Sequence, residues 1–293
     1  MRFLAYDDNG TRSLAVVLGD EAIDLTASGL TERRTLENWF AADPGEIKDL
    51  AGKLASAPGS ARRDLESLTP LVPVARPGKI ICLGLNYALH AKEGGHEIPT
   101  YPELFVRFPT SLVAAGEPVV RPVASETLDY EVELMVVIGK RGRHIKQAEA
   151  LNHVFGYTAF NDVSVREFQR RTKQWTAGKN FDGTGPVGPV VVTPDELPQG
   201  GSGLRVQTRL NGEVLQDSDT SDMIFSVART IEILSEIATL EPGDMIAMGT
   251  PSGVGHARQP QLWMKPGDVV EVEIEGIGIL RNPVVDERDI AAR

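Results

Sequence analysis

The residues best suited to chemistry are acids at alternating positions. In Leu128-Asp-Tyr-Glu-Val-Glu-Leu-Met-Val-Val-Ile-Gly, Glu131 and Glu133 stand two apart. Strand side chains at i and i+2 share a face, so the two carboxylates lie side by side while Val132, Leu134, Val136 and Ile138 point the other way. Neighbouring carboxylates repel unless a cation, a shared proton or water relieves them, and their oxygens suit a hard divalent ion such as Mg²⁺ or Mn²⁺. The same spacing also describes a strand whose end emerges into solvent. Asp162, in Gly156-Tyr-Thr-Ala-Phe-Asn-Asp-Val-Ser, falls where an apparent strand meets a polar helix. There it is either that helix's N-cap or a third carboxylate beside the other two.

A second grouping is Gly84-Leu-Asn-Tyr-Ala-Leu-His-Ala-Lys-Glu, with His90 and Glu93 three apart. On a helix the two share a face, and a carboxylate there holds an imidazole in the tautomer that accepts a proton from water. The pair is half of a general-base device, or an ordinary surface pair. Gly94-Gly95 and Pro99 after it give the loop hinge potential, as a lid requires. Lys179 and Arg107 supply positive charge for a carboxylate or a developing oxyanion, and Thr250 a hydroxyl within a glycine-rich loop that lets a ligand approach the backbone. Gly249-Thr-Pro-Ser-Gly-Val-Gly lacks the Gly-Lys-Ser/Thr ending of a phosphate-binding loop, and Ser252 is not centred in Gly-x-Ser-x-Gly.

The elements that must hold these residues divide at Leu71-Val-Pro-Val-Ala-Arg-Pro-Gly, whose prolines favour an extended connection. Residues 1–70 read as a small N-terminal domain of short strands around residues 13–18 and 22–25, followed by a helical stretch broken at Pro44-Gly45 and Pro58-Gly59. Residues 71–293 read as the catalytic domain, dominated by β-branched runs at 79–84, 133–139, 188–193 and 268–274. Asn211-Gly212 between alternating segments marks a tight hairpin. Val227, Ile231, Leu234 and Ala238 share one face of a helix over 226–240. A shorter helix is expected over 163–173, with Val165 and Phe168 inward and Arg166, Glu167 and Arg170 outward. The elements follow no regular βαβ alternation, so the fold is α+β rather than doubly wound. A net charge of -11 repels a phosphate backbone, which argues against nucleic acid as a partner. No apolar run reaches the length of a membrane span, and a lone cysteine, Cys82, forms neither an intrachain disulfide nor a cysteine zinc site. A cytoplasmic protein is the expectation.

Taken together, Gly84-Leu-Asn-Tyr-Ala-Leu-His-Ala-Lys-Glu, Asp129-Tyr-Glu-Val-Glu-Leu, Asn161-Asp162, Trp175-Thr-Ala-Gly-Lys-Asn-Phe-Asp and Gly249-Thr-Pro-Ser-Gly-Val resemble the fumarylacetoacetate hydrolase family in order and spacing. The resemblance implies a mixed β-roll catalytic domain with a small N-terminal domain, in a homodimer. It also implies Mg²⁺ or Mn²⁺ held by Glu131, Glu133 and Asp162. By the same likeness His90, oriented by Glu93, activates water, Lys179 stabilises charge, and Thr250 holds the substrate carboxylate; Arg107 is a substrate-binding candidate through its charge. The expected reaction is carbon–carbon hydrolysis of an acylpyruvate-like 2-oxo acid from aromatic catabolism. The alternatives are an isomerase or decarboxylase on a related diacid such as 5-carboxymethyl-2-hydroxymuconate or oxaloacetate, or a noncatalytic oxo-acid binder. Arg107, where many relatives carry Lys-Pro, and Asp219, where an Asn is common, depart from the family pattern.

Overall fold

The strand Val132–Ile138 is the axis of the molecule, and every residue in it is buried. Strands covered on both faces read as continuous apolar runs, as Leu-Met-Val-Val-Ile does here. Its two faces enter different cores. Val132, Leu134, Val136 and Ile138 pack with Ile231, Leu234, Val272 and Ile274, whereas Met135 and Val137 join Phe3, Trp39, Phe40 and Phe155. The computed structural model describes residues 1–40, 42–95 and 97–290.

Val132–Ile138 lies inside a 12-stranded sheet, between Val154–Asn161 and Met245–Ala247 and antiparallel to both. Beyond Met245–Ala247 come Ile80–Gly84 and then Glu103–Val106 at the edge; beyond Val154–Asn161 comes Gly185–Val192. The strand Arg2–Asp8 pairs with Gly185–Val192, so the first 70 residues extend this same sheet and share its core. Their helical stretch consists of short pieces, Leu36–Trp39 and Pro44–Lys53, as the Pro-Gly interruptions require. A five-stranded sheet, in which Val269–Ile274 is flanked by Arg205–Leu210 and Gly278–Asp286, packs across the other face. Its hairpin turns at Asn211 (φ 52°) and Gly212 (φ 84°), the two positive-φ positions that Asn-Gly supplies.

The helix expected over 226–240 spans Val227–Ile237, capped by the Ser226 side chain, which accepts from the Arg229 N–H. The polar helix expected over 163–173 is one turn, Arg166–Gln169, preceded by a short strand at Ser164–Val165. Glu167 and Arg170 are exposed and Val165 is buried as expected, but Arg166 is not outward. Arg166 is only 7% exposed, because two carboxylates inside the protein bond it.

Candidate metal centre and active site

Strand register assembles the acids. Val132 pairs with Asn161, so one step further out Glu131 meets Asp162, and the Asp162 N–H donates to the Glu131 carbonyl at 2.9 Å. On the other side Met135 pairs with Ala247, which carries Gly249 opposite Glu133, and the Gly249 N–H donates to Glu133 Oε2 at 2.8 Å. All three acids are at least 96% buried, and one carboxylate oxygen from each lies within 4.8 Å of the others. Asp162 caps no helix: its oxygens accept from Arg107 Nη1 and Lys179 Nζ, each at 2.5 Å. Of its two sequence readings, the third carboxylate is the one this geometry fits.

Seven charges are buried together. Arg107 serves Asp162, Lys179 bridges Glu131 and Asp162, and Arg166 bridges Asp129 and Glu131. Glu133 has no cation of its own; a backbone N–H is its hydrogen-bond partner among the described residues. Its carboxyl is pushed well above the usual range, first by burial and then by the charges of Asp162 and Glu131. Burial acts on Glu131 too, yet Lys179 and Arg166 bring its carboxyl down to about 2. Burial would likewise lower the Lys179 ammonium, but Asp162 and Glu131 hold it raised, and it stays charged. With all four acids ionised, four carboxylates would face three cations, and the one left without a counter-charge is Glu133, which without an ion is relieved by keeping its proton. Three convergent hard oxygen donors with a missing positive charge fit a divalent ion such as Mg²⁺ or Mn²⁺.

The acids open into a cavity of about 330 Å³ whose lining includes His90, Glu93, Lys179 and Thr250. His90 and Glu93 stand on the helix Ala88–Glu93, with Nδ1 3.2 Å from Glu93 Oε2. Burial would raise the Glu93 carboxyl, but the bonds from His90 and from the Gly253 N–H hold it below the usual value. An ionised Glu93 only accepts, so Nδ1 carries the proton and Nε2 of the neutral ring keeps its lone pair. Thr250 Oγ1 accepts from Gln216 Nε2 at 2.9 Å, which leaves its own proton to donate elsewhere. Gly84 is required for space: a Cβ there would meet the Trp175 ring at 2.0 Å.

Arg107 departs from expectation. It lies behind Asp162 rather than at the cavity wall, only 2% exposed, its other bonds going to Ser111, Val163 and Thr184. Its guanidinium bonds an acid of the triad. Asp219, the other departure from the family pattern, accepts from the Ser221 N–H. The sequence reading missed Arg166, Asp129 and Gln216. Arg166 lines the cavity, and its Nη2 is buried without a partner. Asp129 is wholly buried and accepts from Arg166 and from the Gly255 and His256 N–H groups. Its place two residues before Glu131 was the available signal, since alternation puts Asp129, Glu131 and Glu133 in one series.

A family model described as fumarylacetoacetate (FAA) hydrolase C-terminal matches residues 79–285. Oxaloacetate tautomerase FAHD2A, mitochondrial, of Bos taurus is 40% identical over 275 residues, covering 91% of this chain and 85% of that protein. Among solved structures, fumarylacetoacetate hydrolase from Exiguobacterium antarcticum superposes with a TM-score of 0.83 at 35% identity, covering 98% of this chain and 100% of that one. Maleylpyruvate hydrolase from Sphingobium sp. SYK-6, solved with manganese(II) and pyruvate, gives a TM-score of 0.80 at 28% identity, covering 98% and 99%.

Proposed function

Because this chain belongs to the fumarylacetoacetate hydrolase family, we propose that it is a divalent-metal-dependent enzyme interconverting the keto and enol forms of a small 2-oxo diacid of the oxaloacetate type. The observation that carries this reading is the uncompensated Glu133 within a buried triad that shares a cavity with the His90–Glu93 pair. The likeness to an oxaloacetate tautomerase over 91% of the chain supports the choice of substrate.

Glu131, Glu133 and Asp162 would hold the ion, which supplies a Lewis acid that draws charge from the oxo oxygen of a 2-oxo acid. Lys179 and Arg107 hold the Asp162 carboxylate in place, and Lys179 with Arg166 holds Glu131 and keeps it ionised. Thr250 donates its hydroxyl proton to the substrate carboxylate, and the unpartnered Nη2 of Arg166 donates to an oxygen of the bound acid. His90 Nε2 takes the proton from the carbon beside the oxo group as the enol double bond forms, and returns one in the reverse direction. Glu93 stabilises the imidazolium in between.

Carbon–carbon hydrolysis of an acylpyruvate is the second reading, favoured by the same His90–Glu93 pair, which can activate water as readily as it moves a carbon-bound proton. One experiment separates them: loss of enol absorbance for oxaloacetate and an acylpyruvate panel, with and without Mn²⁺, with products identified by mass. Unchanged mass with Mn²⁺-dependent loss of oxaloacetate enol supports tautomerisation. Pyruvate plus a second acid replaces it with hydrolysis, and no Mn²⁺-dependent change in any substrate refutes both. A homodimer and a cytoplasmic location, both expectations of the sequence reading, complete the proposal.

A further inference from the structure

Among the cavity-lining side chains that take no part in the chemistry above are two with basic nitrogens, Arg170 and His256. One buried carboxylate positions both. Asp129 bonds Arg166, which opens the single turn ending at Arg170, and it accepts the His256 N–H at 2.9 Å. The Arg170 guanidinium makes no hydrogen bond or ion pair among the described residues, unlike Arg166 and Arg171 on either side of the same turn.

The His256 ring is fixed in plane and in tautomer. It stacks on Trp263, with centroids 6.0 Å apart and planes 29° from parallel. Gln261 Nε2 donates to the His256 carbonyl at 3.0 Å, which identifies that atom as the amide nitrogen, and it also lies 3.2 Å from His256 Nδ1. Nδ1 is therefore the acceptor, and the proton of the neutral ring sits on Nε2. Burial first, and then the charges of Arg170 and Arg166, hold the imidazole below its ordinary value, so it is neutral near pH 7. A planar cation without a partner and an imidazole N–H at the same cavity are complementary to a carboxylate.

We propose that Arg170 and His256 form the subsite for the far carboxylate of a dicarboxylic 2-oxo acid, and so select diacids over monoacids. The inference deepens the proposed function and rests on it for which end of the substrate meets Glu131, Glu133 and Asp162.

Two readouts on the Mn²⁺-loaded protein keep the two claims apart. The first is hydrogen–deuterium exchange at the carbon beside the oxo group, by NMR, for oxaloacetate and for 2-oxobutanoate, corrected for the uncatalysed rate. The second is calorimetric binding of malate against 2-hydroxybutanoate, which differ by the far carboxylate and need no turnover. Arg170→Gln is expected to raise KM for oxaloacetate about 30-fold at unchanged kcat, the loss of one charge-assisted bond, while leaving 2-oxobutanoate unaffected. It should also abolish a malate preference of similar size. His256→Leu should lower malate affinity in the same sense, and His256→Gln, which keeps a donor, should restore part of it. A malate preference that Arg170→Gln abolishes, in a protein that exchanges neither oxo acid, would refute the proposed function and leave the subsite standing. Equal affinity for malate and 2-hydroxybutanoate, or parallel losses for both oxo acids in Arg170→Gln, overturns the subsite.

Discussion

Replacing Glu133 by Gln should stabilise the metal-free protein while destroying its affinity for Mn²⁺. In the absence of an ion, Glu133 is a buried carboxylate facing two others, with carboxylate oxygens of the three within 4.8 Å of one another. At that separation and an effective dielectric constant of about 20, each like-charge pair costs about 3.5 kcal/mol. Lys179 offsets roughly one of the two repulsions on Glu133, leaving about 3 kcal/mol. The carboxyl titrates higher in the folded protein than in the unfolded chain, so the folded state holds its proton longer. Stability of the metal-free wild type therefore falls as pH rises above the ordinary Glu value, and it goes on falling until the folded group itself ionises. Glu133→Gln removes that loss. Thermal unfolding in EDTA should give similar midpoints for the two proteins near pH 5. Near pH 9 the variant should lead by about 6 °C, at roughly 2 °C per kcal/mol for a chain of this size. Adding Mn²⁺ should raise the wild type and leave the variant unmoved. A variant less stable than wild type in EDTA at high pH, or one that Mn²⁺ stabilises equally, would refute the charge accounting.

His90→Ala should lower turnover by about 10²–10⁴-fold at unchanged Mn²⁺ affinity, since among the described residues the ring's hydrogen bond is to Glu93 and not to a proposed metal ligand; calorimetry and steady-state rates test both halves. Arg107→Met leaves Asp162 buried beside an apolar side chain, and chemical denaturation should show a loss of about 3–5 kcal/mol together with weaker Mn²⁺ binding. A selective rise in KM at full stability would instead return Arg107 to the substrate. Gly84→Ala drives a methyl into the Trp175 ring, at 2.0 and 2.5 Å from its carbons, and should cost about 1–3 kcal/mol with an altered near-ultraviolet circular dichroism spectrum. Unchanged stability and spectrum would mean that the Trp175 contact yields freely.

What could be read along the chain was what depends on neighbours in sequence. Alternation placed Glu131 and Glu133 on one face and Val132, Leu134, Val136 and Ile138 on the other, and the two cores divide that way. Asn211-Gly212 specified its turn because positive φ is a local property. The three-residue spacing of His90 and Glu93 became a contact because a helix turn brings i and i+3 together. Besides the length of the helix expected over 163–173, the misreadings involve long cationic side chains. Arg166 was expected outward and Arg107 at the substrate, yet both are buried against acids 35 to 55 residues away in sequence.

The sequence by itself determined which side chains share a face and where the turns fall. Only the tertiary structure decided that Asp162 stands opposite Glu131, since that follows from the register of Val132 against Asn161, and a one-residue slip would turn every side chain to the other face. It also decided which acid each buried cation neutralises. A guanidinium or ammonium on a flexible stem goes wherever an unpaired charge would otherwise be most costly, and that place is set by the whole fold rather than by the neighbouring residues.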